Sequence, residues 1–367
     1  MKIIKVDLSE RSYEIAIGKQ NYANLGRFVK GLNIGRDAFI ITNKKIWKIL
    51  GSKVAASLKK HGFSLHCETI PDSEKAKSLA IWSKLIANLS SYDKKREIFL
   101  IALGGGVVGD IAGFIASVYK RGIPYIQVPT TLLAQVDSAI GGKTAVDLAC
   151  GKNLVGSFYQ PRLVFSDISA LESLSPREIR NGLAEIVKYG IIKDAHLFGY
   201  LESKQCKKEG GFGFSSCDWE YLISNCSKIK SGIVEKDEHD RLGIRMILNF
   251  GHTIGHGIEA ASQYSHRYHH GEAITLGMLS ASDIADKLGF TKQGTTRRIE
   301  TLVSRIGLPC KISSLRISNI MKAIGYDKKF KGSQSRMVIP IEIGKVVLRE
   351  NIPLALIQRT IEKRMAG

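Results

Sequence analysis

The sequence lacks the cysteine spacing that indicates a zinc knuckle or a redox-active pair. Its six cysteines are scattered along 367 residues, and no two of them form a C-x-x-C motif. Isolated cysteines of this kind are typical of reduced thiols in a cytosolic protein. We therefore expect a cytoplasmic location.

The chain also lacks a continuous apolar segment suited to a membrane. Residues 1–8 alternate like a strand and contain no apolar core of a signal peptide. The most apolar stretch, 98–118, has a cluster of glycines and Asp110 in its middle, where a charge would be costly in lipid. A buried strand, a glycine turn and a helix explain this stretch better, so we expect no membrane partner.

Acidic residues are scarce relative to basic ones. Lys and Arg number 54 and Asp and Glu number 34, which gives a formal net charge of +20. The basic residues are spread in short pairs, without a long basic run that alternates with aromatic residues, so nucleic-acid binding is not indicated. A solvated basic surface or a positively charged pocket explains the charge equally well. Such a pocket would suit a phosphorylated acid, and we expect no nucleic-acid partner.

The spacing of apolar residues predicts two domains of different type. The first third alternates strands at 38–42, 64–70 and 97–103 with helices at 45–61 and 73–89. This alternation favours a Rossmann-like α/β domain with a doubly wound sheet. From about Pro176 the period becomes helical, through 178–190, 219–236, 242–263 and 272–288, before a small hairpin at 337–348. We expect the α/β domain at 1–174 and a mainly α-helical domain at 175–367.

A glycine-rich turn follows the predicted strand at 97–103. Residues 104–109 have the form G-x-G-x-x-G, which lets a backbone approach a diphosphate at a helix N-terminus. The motif alone is weak, because it does not follow the first strand and no acidic ribose ligand ends the next strand, at 123–128. A tight turn that binds nothing remains an alternative.

Two lysines and an asparagine lie beside glycines farther along the chain. Lys143, Lys152 and Asn153 suit anionic oxygens, because lysine offers a compact charge with several donors. Gly142-Lys143-Thr144 has the last three residues of a P-loop, but the first glycine of G-x-x-x-x-G-K is missing. This difference excludes a P-loop NTPase.

Histidines and one isolated glutamate form the strongest chemical pattern. His252 and His256 are four residues apart, so they face the same way on a predicted helix. Glu185 lies alone among apolar helical residues. A Glu/His/His set leaves a position open for water or substrate, as catalytic zinc requires. Thr253 occupies the place of the metalloprotease base, which argues against a peptidase.

Spacing leaves three candidates for the third metal ligand. His266, His269 and His270 all follow the first histidine pair after a short polar loop. Spacing alone does not choose among these three imidazoles.

Four motifs together resemble the 3-dehydroquinate synthase family of the sugar phosphate cyclase superfamily. They lie at 104–110, 127–144, 182–190 and 248–259. The resemblance implies an N-terminal domain that holds NAD and a C-terminal domain that holds one divalent metal ion, zinc or cobalt. It implies conversion of 3-deoxy-D-arabino-heptulosonate 7-phosphate to 3-dehydroquinate and phosphate in the shikimate pathway. The implied steps are NAD-mediated transient oxidation, phosphate elimination, re-reduction, ring opening and intramolecular aldol closure.

The resemblance also implies roles for individual residues. The metal ligands would be Glu185, His252 and His270. The NAD-binding residues would be Asp72, Glu74, Lys77, Gly105, Gly106, Val107, Val108, Gly109, Asp110, Thr130, Thr131, Lys143, Lys152, Leu171 and Ser173. The residues that act on the substrate would be Arg121, Asp137, Lys143, Asn153, Lys188, Lys230, Arg245, Asn249, His256 and Lys329. Lys329 belongs to a motif, Asp327-Lys328-Lys329, in which either lysine fits.

Within that last set, the roles differ. Asn153, Lys188 and His256 would bind the phosphate, and Asp137 and Lys188 the ring hydroxyls. Lys230, Arg245 and Asn249 would surround the substrate carboxylate, which favours 3-dehydroquinate synthase over cyclases whose substrates lack a carboxylate. Arg121 would act in the partner subunit of a homodimer. The alternatives are another sugar phosphate cyclase and an iron-type alcohol or glycerol dehydrogenase.

Overall fold

A computed structural model gives the fold and describes residues 1–148, 151–204, 213–263, 267–325, 330–331 and 334–365. The chain forms two compact units. The first comprises Met1–Leu174 and Ser215–His239, and the second comprises Ser175–Phe214 and Asp240–Gly367. Within the described ranges, no helix is long and apolar enough to cross a membrane.

The regular elements follow the predicted order, with additions. The strands are β1 (Lys2–Val6), β2 (Tyr13–Gly18), β3 (Asp37–Asn43), β4 (Ser64–Ile70), β5 (Ile98–Gly104), β6 (Tyr125–Pro129), β7 (Lys143–Leu148), β8 (Gly151–Phe158), β9 (Leu163–Asp167), β10 (Phe330–Lys331), β11 (Gln334–Glu342) and β12 (Lys345–Glu350). The α-helices are α1 (Leu25–Leu32), α2 (Lys44–Lys60), α3 (Leu79–Tyr92), α4 (Gly106–Val118), α5 (Pro176–Ile192), α6 (Ala195–Ser203), α7 (Ser216–Val234), α8 (His252–Ala261), α9 (His270–Lys287), α10 (Thr295–Ile306), α11 (Ile317–Gly325) and α12 (Leu354–Met365).

A seven-stranded sheet organises the first unit, in the order β1-β2-β9-β6-β5-β3-β4. β1 and β2 are antiparallel, and the other neighbouring strands are parallel. Every residue of β5 is buried, because its side chains alternate between two cores. Phe99 and Ile101 pack toward α1 and α2, and Leu100 and Ala102 pack toward α3 and α4. This arrangement confirms the predicted doubly wound α/β domain.

Helix α7 belongs to the first unit, although it follows α5 and α6 in sequence. It contacts β1, β2 and the π-helical turn Ala134–Ser138, and it buries Leu222, Ile223 and Cys226. The predicted division at 174/175 assigns this helix to the second domain. An amphipathic pattern fixes which face of a helix is buried, but not which sheet or helix covers that face.

The second unit is mainly helical, as expected, and it also contains the β11–β12 hairpin around Gly344. The prediction of one helix at 242–263 is wrong. A 3-10 helix spans Ile244–Asn249, Phe250 and Gly251 follow it, and α8 then begins at His252. Gly251 has φ of +80°, a left-handed conformation that interrupts a helix and that glycine adopts at low cost.

The net charge of the first unit is concentrated in one region. Residues 25–60 contain nine Lys or Arg and one Asp, whereas the remainder of that unit contains 18 of each sign. Eight of the nine basic side chains are exposed on α1 and α2. Helices α1 and α2 therefore carry most of the excess positive charge of the first unit, on exposed side chains.

Candidate metal and dinucleotide sites

Three predicted metal ligands converge in the second unit. Glu185 comes from α5, His252 from the first turn of α8, and His270 from the first turn of α9. Their ligand atoms all lie within 4.8 Å of one another. Glu185 Oε1 is 3.8 Å from His252 Nε2 and 3.5 Å from His270 Nε2.

These separations fit a metal ion better than direct hydrogen bonds. Ligands about 2.1 Å from a tetrahedral zinc ion lie about 3.4 Å apart, close to the observed values. The carboxylate of Glu185 is completely buried, and its oxygens accept no hydrogen bond from the described residues. Among the described residues, this carboxylate pairs with the Lys188 ammonium and faces the two imidazoles. A buried carboxylate in this state is suited to coordinate a cation.

The histidine rings are oriented by their other nitrogens. His252 Nδ1 lies 3.1 Å from the carbonyl oxygen of Phe250, and His270 Nδ1 lies 3.3 Å from Glu259 Oε2. An N–H donated at Nδ1 leaves the Nε2 lone pair directed toward Glu185. Metal-binding histidines commonly show this second hydrogen bond.

The structure also distinguishes between two of the three histidines that are candidates for the third ligand. His269 is the N-cap of α9, and its Nδ1 lies 3.2 Å from Glu178 Oε1, away from Glu185. His266 lies outside the described residues. Of the two that are described, only His270 shares a potential metal cluster with Glu185.

Glycines allow the three ligand-bearing helices to pack closely. A Cβ atom on Gly277 would lie 1.9 Å from the carbonyl oxygen of Gly251, where α9 crosses the start of α8. A Cβ atom on Gly271 would lie 2.3 Å from the carbonyl oxygen of Asn181 on α5. The Gly271 N–H donates to Asn181 Oδ1 at 2.6 Å. These contacts hold α5, α8 and α9 at the separation that brings the ligands together.

The two histidines differ in their electrostatic surroundings. Burial, reinforced by the Lys188 ammonium, lowers the pKa of His252 well below its usual value. Burial acts in the same direction on His270, but the carboxylates of Glu259 and Glu185 raise its pKa to about 10. A metal ion bound to both rings would displace the proton from His270, because only the neutral ring offers a lone pair.

Other predicted substrate residues surround this cluster. Lys188 is almost completely buried one helical turn after Glu185 and contacts its carboxylate. His256 is exposed, with its ring centroid 5.3 Å from that of His252. Arg245, which is 2% exposed, and Asn249 lie on the 3-10 helix that precedes α8. Lys188 and His256 thus lie beside the candidate metal site, and Arg245 and Asn249 lie on the segment that leads into α8.

In the first unit, the glycine turn forms the start of α4. Gly105 is the N-cap and offers no side-chain hydrogen bond to the first turn. The turn lies at the carboxyl end of β5, next to β3, where the strand order reverses direction. Ligands of open α/β sheets bind in this crevice, and free N–H groups at a helix N-terminus attract phosphate. Thr131 and Ser138 flank the turn. A Cβ atom on Gly105 would lie 3.1 Å from Thr131 Cγ2, and one on Gly106 would lie 3.1 Å from Ser138 Oγ.

A polar network connects the predicted cofactor residues beside this turn. Lys77, which is 4% exposed, lies 2.5 Å from Asp110 Oδ2 and also contacts Asn153 Oδ1. Burial acts to lower the pKa of Lys77, but the Asp110 carboxylate outweighs it and holds that pKa above its usual value. Lys152 pairs with Glu74 at 3.2 Å. The 74–77 turn, α4 and the β7–β8 hairpin therefore meet at one place.

The remaining predicted residues are more dispersed. Asp72 accepts a hydrogen bond from Asn43, Thr130 is buried after β6, and Asp137 pairs with Lys230 at 2.9 Å. The structure places Leu171 and Ser173 in the 3-10 helix that follows β9, and Lys143 exposed on β7. Arg121 is exposed beyond the end of α4, about 20 Å along that helix from the glycine turn. Lys329 lies outside the described residues.

Three residues in these networks were not predicted. Asn43 caps α2 and donates to Asp72, Asp147 Oδ1 accepts from the Asn153 N–H at 2.8 Å, and Glu259 contacts His270. A sequence pattern could have indicated Glu259, because it follows His252 by seven residues and His256 by three on the same helical face. The roles of Asn43 and Asp147 depend on contacts between distant segments.

Comparison with known proteins places this arrangement in a family. Models of the 3-dehydroquinate synthase N-terminal and C-terminal regions match residues 67–181 and 182–330. The 3-dehydroquinate synthase of Caldanaerobacter subterraneus subsp. tengcongensis is 42% identical over 351 residues, which cover 94% of this chain and 96% of that protein. The 3-dehydroquinate synthase of Thermodesulfovibrio yellowstonii is 43% identical over 356 residues, which cover 96% of this chain and 97% of that protein.

Solved structures show the same fold. A 2-deoxy-scyllo-inosose synthase complexed with carbaglucose-6-phosphate, NAD+ and Co2+ matches with a TM-score of 0.87 at 26% identity. The match covers 99% of this chain and 100% of that one. The family models, the near full-length relatives and the shared fold agree, and the chain belongs to the 3-dehydroquinate synthase family.

Proposed function

We propose that this chain converts 3-deoxy-D-arabino-heptulosonate 7-phosphate to 3-dehydroquinate and phosphate, as a carbon–oxygen lyase with NAD and one divalent metal ion. The observation that carries the proposal is the convergence of Glu185, His252 and His270 in a member of this family. Two imidazoles and a carboxylate suit zinc or cobalt and leave coordination positions for substrate oxygens. When bound, NAD would take up and return a hydride, and the metal would polarise the substrate oxygen at which oxidation occurs.

Residues of the second unit would bind the substrate around the metal. Lys188 and His256 carry the predicted phosphate contacts, and Arg245 and Asn249 carry those to the carboxylate. Burial of Lys188 and Arg245 strengthens their attraction for anions, because water screens them less. We expect a phosphorylated keto acid to bind here better than a sugar phosphate that lacks a carboxylate.

Residues of the first unit would bind NAD. The N-terminus of α4 would receive the diphosphate, with Thr130 and Thr131 beside it, and the Lys77 network would fix the neighbouring turn. Arg121, which is exposed and distant from this turn, keeps its predicted role in the partner of a homodimer. A cytoplasmic location completes the proposal.

Lys77→Met should weaken NAD binding by about tenfold, because Asp110 and Asn153 would lose the ammonium group that holds them together. The measurement is the NAD dependence of phosphate release. Lys75→Met is the matched control, since Lys75 is an exposed lysine two residues away. Equal NAD dependence in both variants would remove Lys77 from the cofactor site.

Phosphate release from 3-deoxy-D-arabino-heptulosonate 7-phosphate tests the activity itself. The assay contains trace NAD, runs with and without a chelator, and couples the product to dehydroquinase. We expect equal amounts of phosphate and dehydroquinate, no accumulation of NADH, and loss of both products when the chelator removes the metal.

Two other outcomes would contradict the proposal. Release of phosphate only from glucose 6-phosphate or sedoheptulose 7-phosphate would identify a different sugar phosphate cyclase. Accumulation of NADH with a simple alcohol, without phosphate release, would identify an iron-type dehydrogenase.

A further inference from the structure

We infer that Glu259 is a positioning residue that orients His270 for metal binding and thereby increases the metal affinity of the site. Glu259 lies on α8, is 8% exposed, and places Oε2 at 3.3 Å from His270 Nδ1. The inference rests on the proposed metal site. It concerns a residue outside the predicted ligand set.

The chemistry of imidazole separates this role from that of a ligand. His256, Glu259 and His270 also lie close enough to form a potential metal cluster of their own. However, a neutral imidazole has one N–H and one lone pair, so His270 cannot coordinate at both nitrogens unless it also loses its N–H proton. The lone pair at Nε2 faces the buried Glu185. The Nδ1 proton then points to Glu259, which accepts it.

The orientation of His270 depends on the contact with Glu259 more than the orientation of His252 depends on the contact with the Phe250 carbonyl. The His252 ring is 13% exposed and is oriented by the Phe250 carbonyl, a backbone group that the fold already fixes. The His270 side chain is 30% exposed at the first residue of α9, so fewer neighbours limit its rotation. The carboxylate of Glu259 supplies the missing restraint, and an anion in this place also makes the ring a stronger donor of electrons to the metal.

Metal affinity of the apo protein tests the inference without using turnover. The apo protein is titrated with zinc in competition with a chromophoric chelator. Glu259→Ala should bind zinc about 10- to 100-fold more weakly than the unmodified chain, the usual cost of losing such a contact. Glu259→Gln keeps an oxygen that can accept the Nδ1 proton, so it should recover most of the affinity. The absorption bands of the cobalt-loaded protein should change in Glu259→Ala and return toward normal in Glu259→Gln.

Asp283→Asn provides the matched control for general destabilisation. Asp283 is another buried carboxylate of the second unit, it pairs with Arg364 at 2.7 Å, and it lies more than three turns along α9 from His270. This variant should lose stability, yet its folded form should bind zinc with unchanged affinity.

The outcomes separate this inference from the proposed function. Equal zinc affinity in Glu259→Ala and the unmodified chain would overturn the positioning role while leaving the metal site in place. Two zinc ions per chain, with one lost in Glu259→Ala, would overturn it in favour of a ligand role. Failure of the unmodified chain to bind zinc or cobalt would overturn the proposed metal site itself.

Discussion

Glu185→Gln should reduce phosphate release to the background rate while leaving the circular dichroism spectrum unchanged. The substitution removes the only carboxylate that faces both His252 Nε2 and His270 Nε2 among the described residues. A neutral amide is a poor ligand for zinc, so metal affinity should fall by more than about 100-fold. This loss exceeds the usual effect of removing a residue that only hydrogen-bonds to a metal ligand. The measurements are phosphate release and zinc titration on the same preparation.

The fold should survive this substitution. Glutamine has nearly the shape and helix propensity of glutamate, so α5 can form as before. The loss of a partner for the buried Lys188 should lower stability by about 3 kcal/mol, which is less than the usual stability of a domain. Glu202→Gln, at a carboxylate that pairs with Arg298 on the surface, is the control and should keep full activity. Full activity in Glu185→Gln would remove Glu185 from the ligand set.

Gly277→Ala should both destabilise the second unit and weaken its metal site. The new Cβ atom would lie 1.9 Å from the Gly251 carbonyl oxygen and 2.9 Å from the Gly255 nitrogen, and neither backbone atom can rotate away. Helix α8 must therefore move from α9, at a cost of about 3 kcal/mol or more. That movement separates His252 from His270. We expect a lower melting temperature and, in the fraction that remains folded, a zinc affinity reduced by at least about tenfold.

Gly199→Ala is the matched control for this prediction. Gly199 lies in the middle of α6 in the same unit, and no atom outside its own helix lies within 4 Å of the new Cβ position. Alanine should therefore raise stability by roughly 0.5–1 kcal/mol, through its better helix propensity. Unchanged zinc affinity is expected. If Gly277→Ala behaves like Gly199→Ala, the close approach of α8 and α9 does not control the metal site.

Much of the fold could be predicted because local patterns specify it. The seven buried residues of β5 formed a continuous apolar run, and the strand at Ser64–Ile70 was predicted with the correct ends. Such predictions succeed because the side-chain period of a strand is two residues and that of a helix is 3.6. The break at Gly251 was missed, because glycine inside an apolar helical pattern is tolerated in many helices. Here Gly251 has a left-handed backbone, and a Cβ atom on it would lie 2.7 Å from the carbonyl oxygen of Ile274 on α9.

Some features of the candidate site could likewise be predicted from local sequence patterns, and others depended on the tertiary structure. The sequence by itself determined the donor types and the helical phase that directs His252 and His256 to one side. Spacing left His269 and His270 as equal candidates and the resemblance implied His270, whereas the tertiary structure shows that His269 pairs with Glu178 and His270 faces Glu185. It also revealed Glu259 and the return of α7 to the first unit. The physical reason is that periodicity acts within one element, whereas ligand geometry depends on how closely separate helices pack, which glycines such as Gly277 decide.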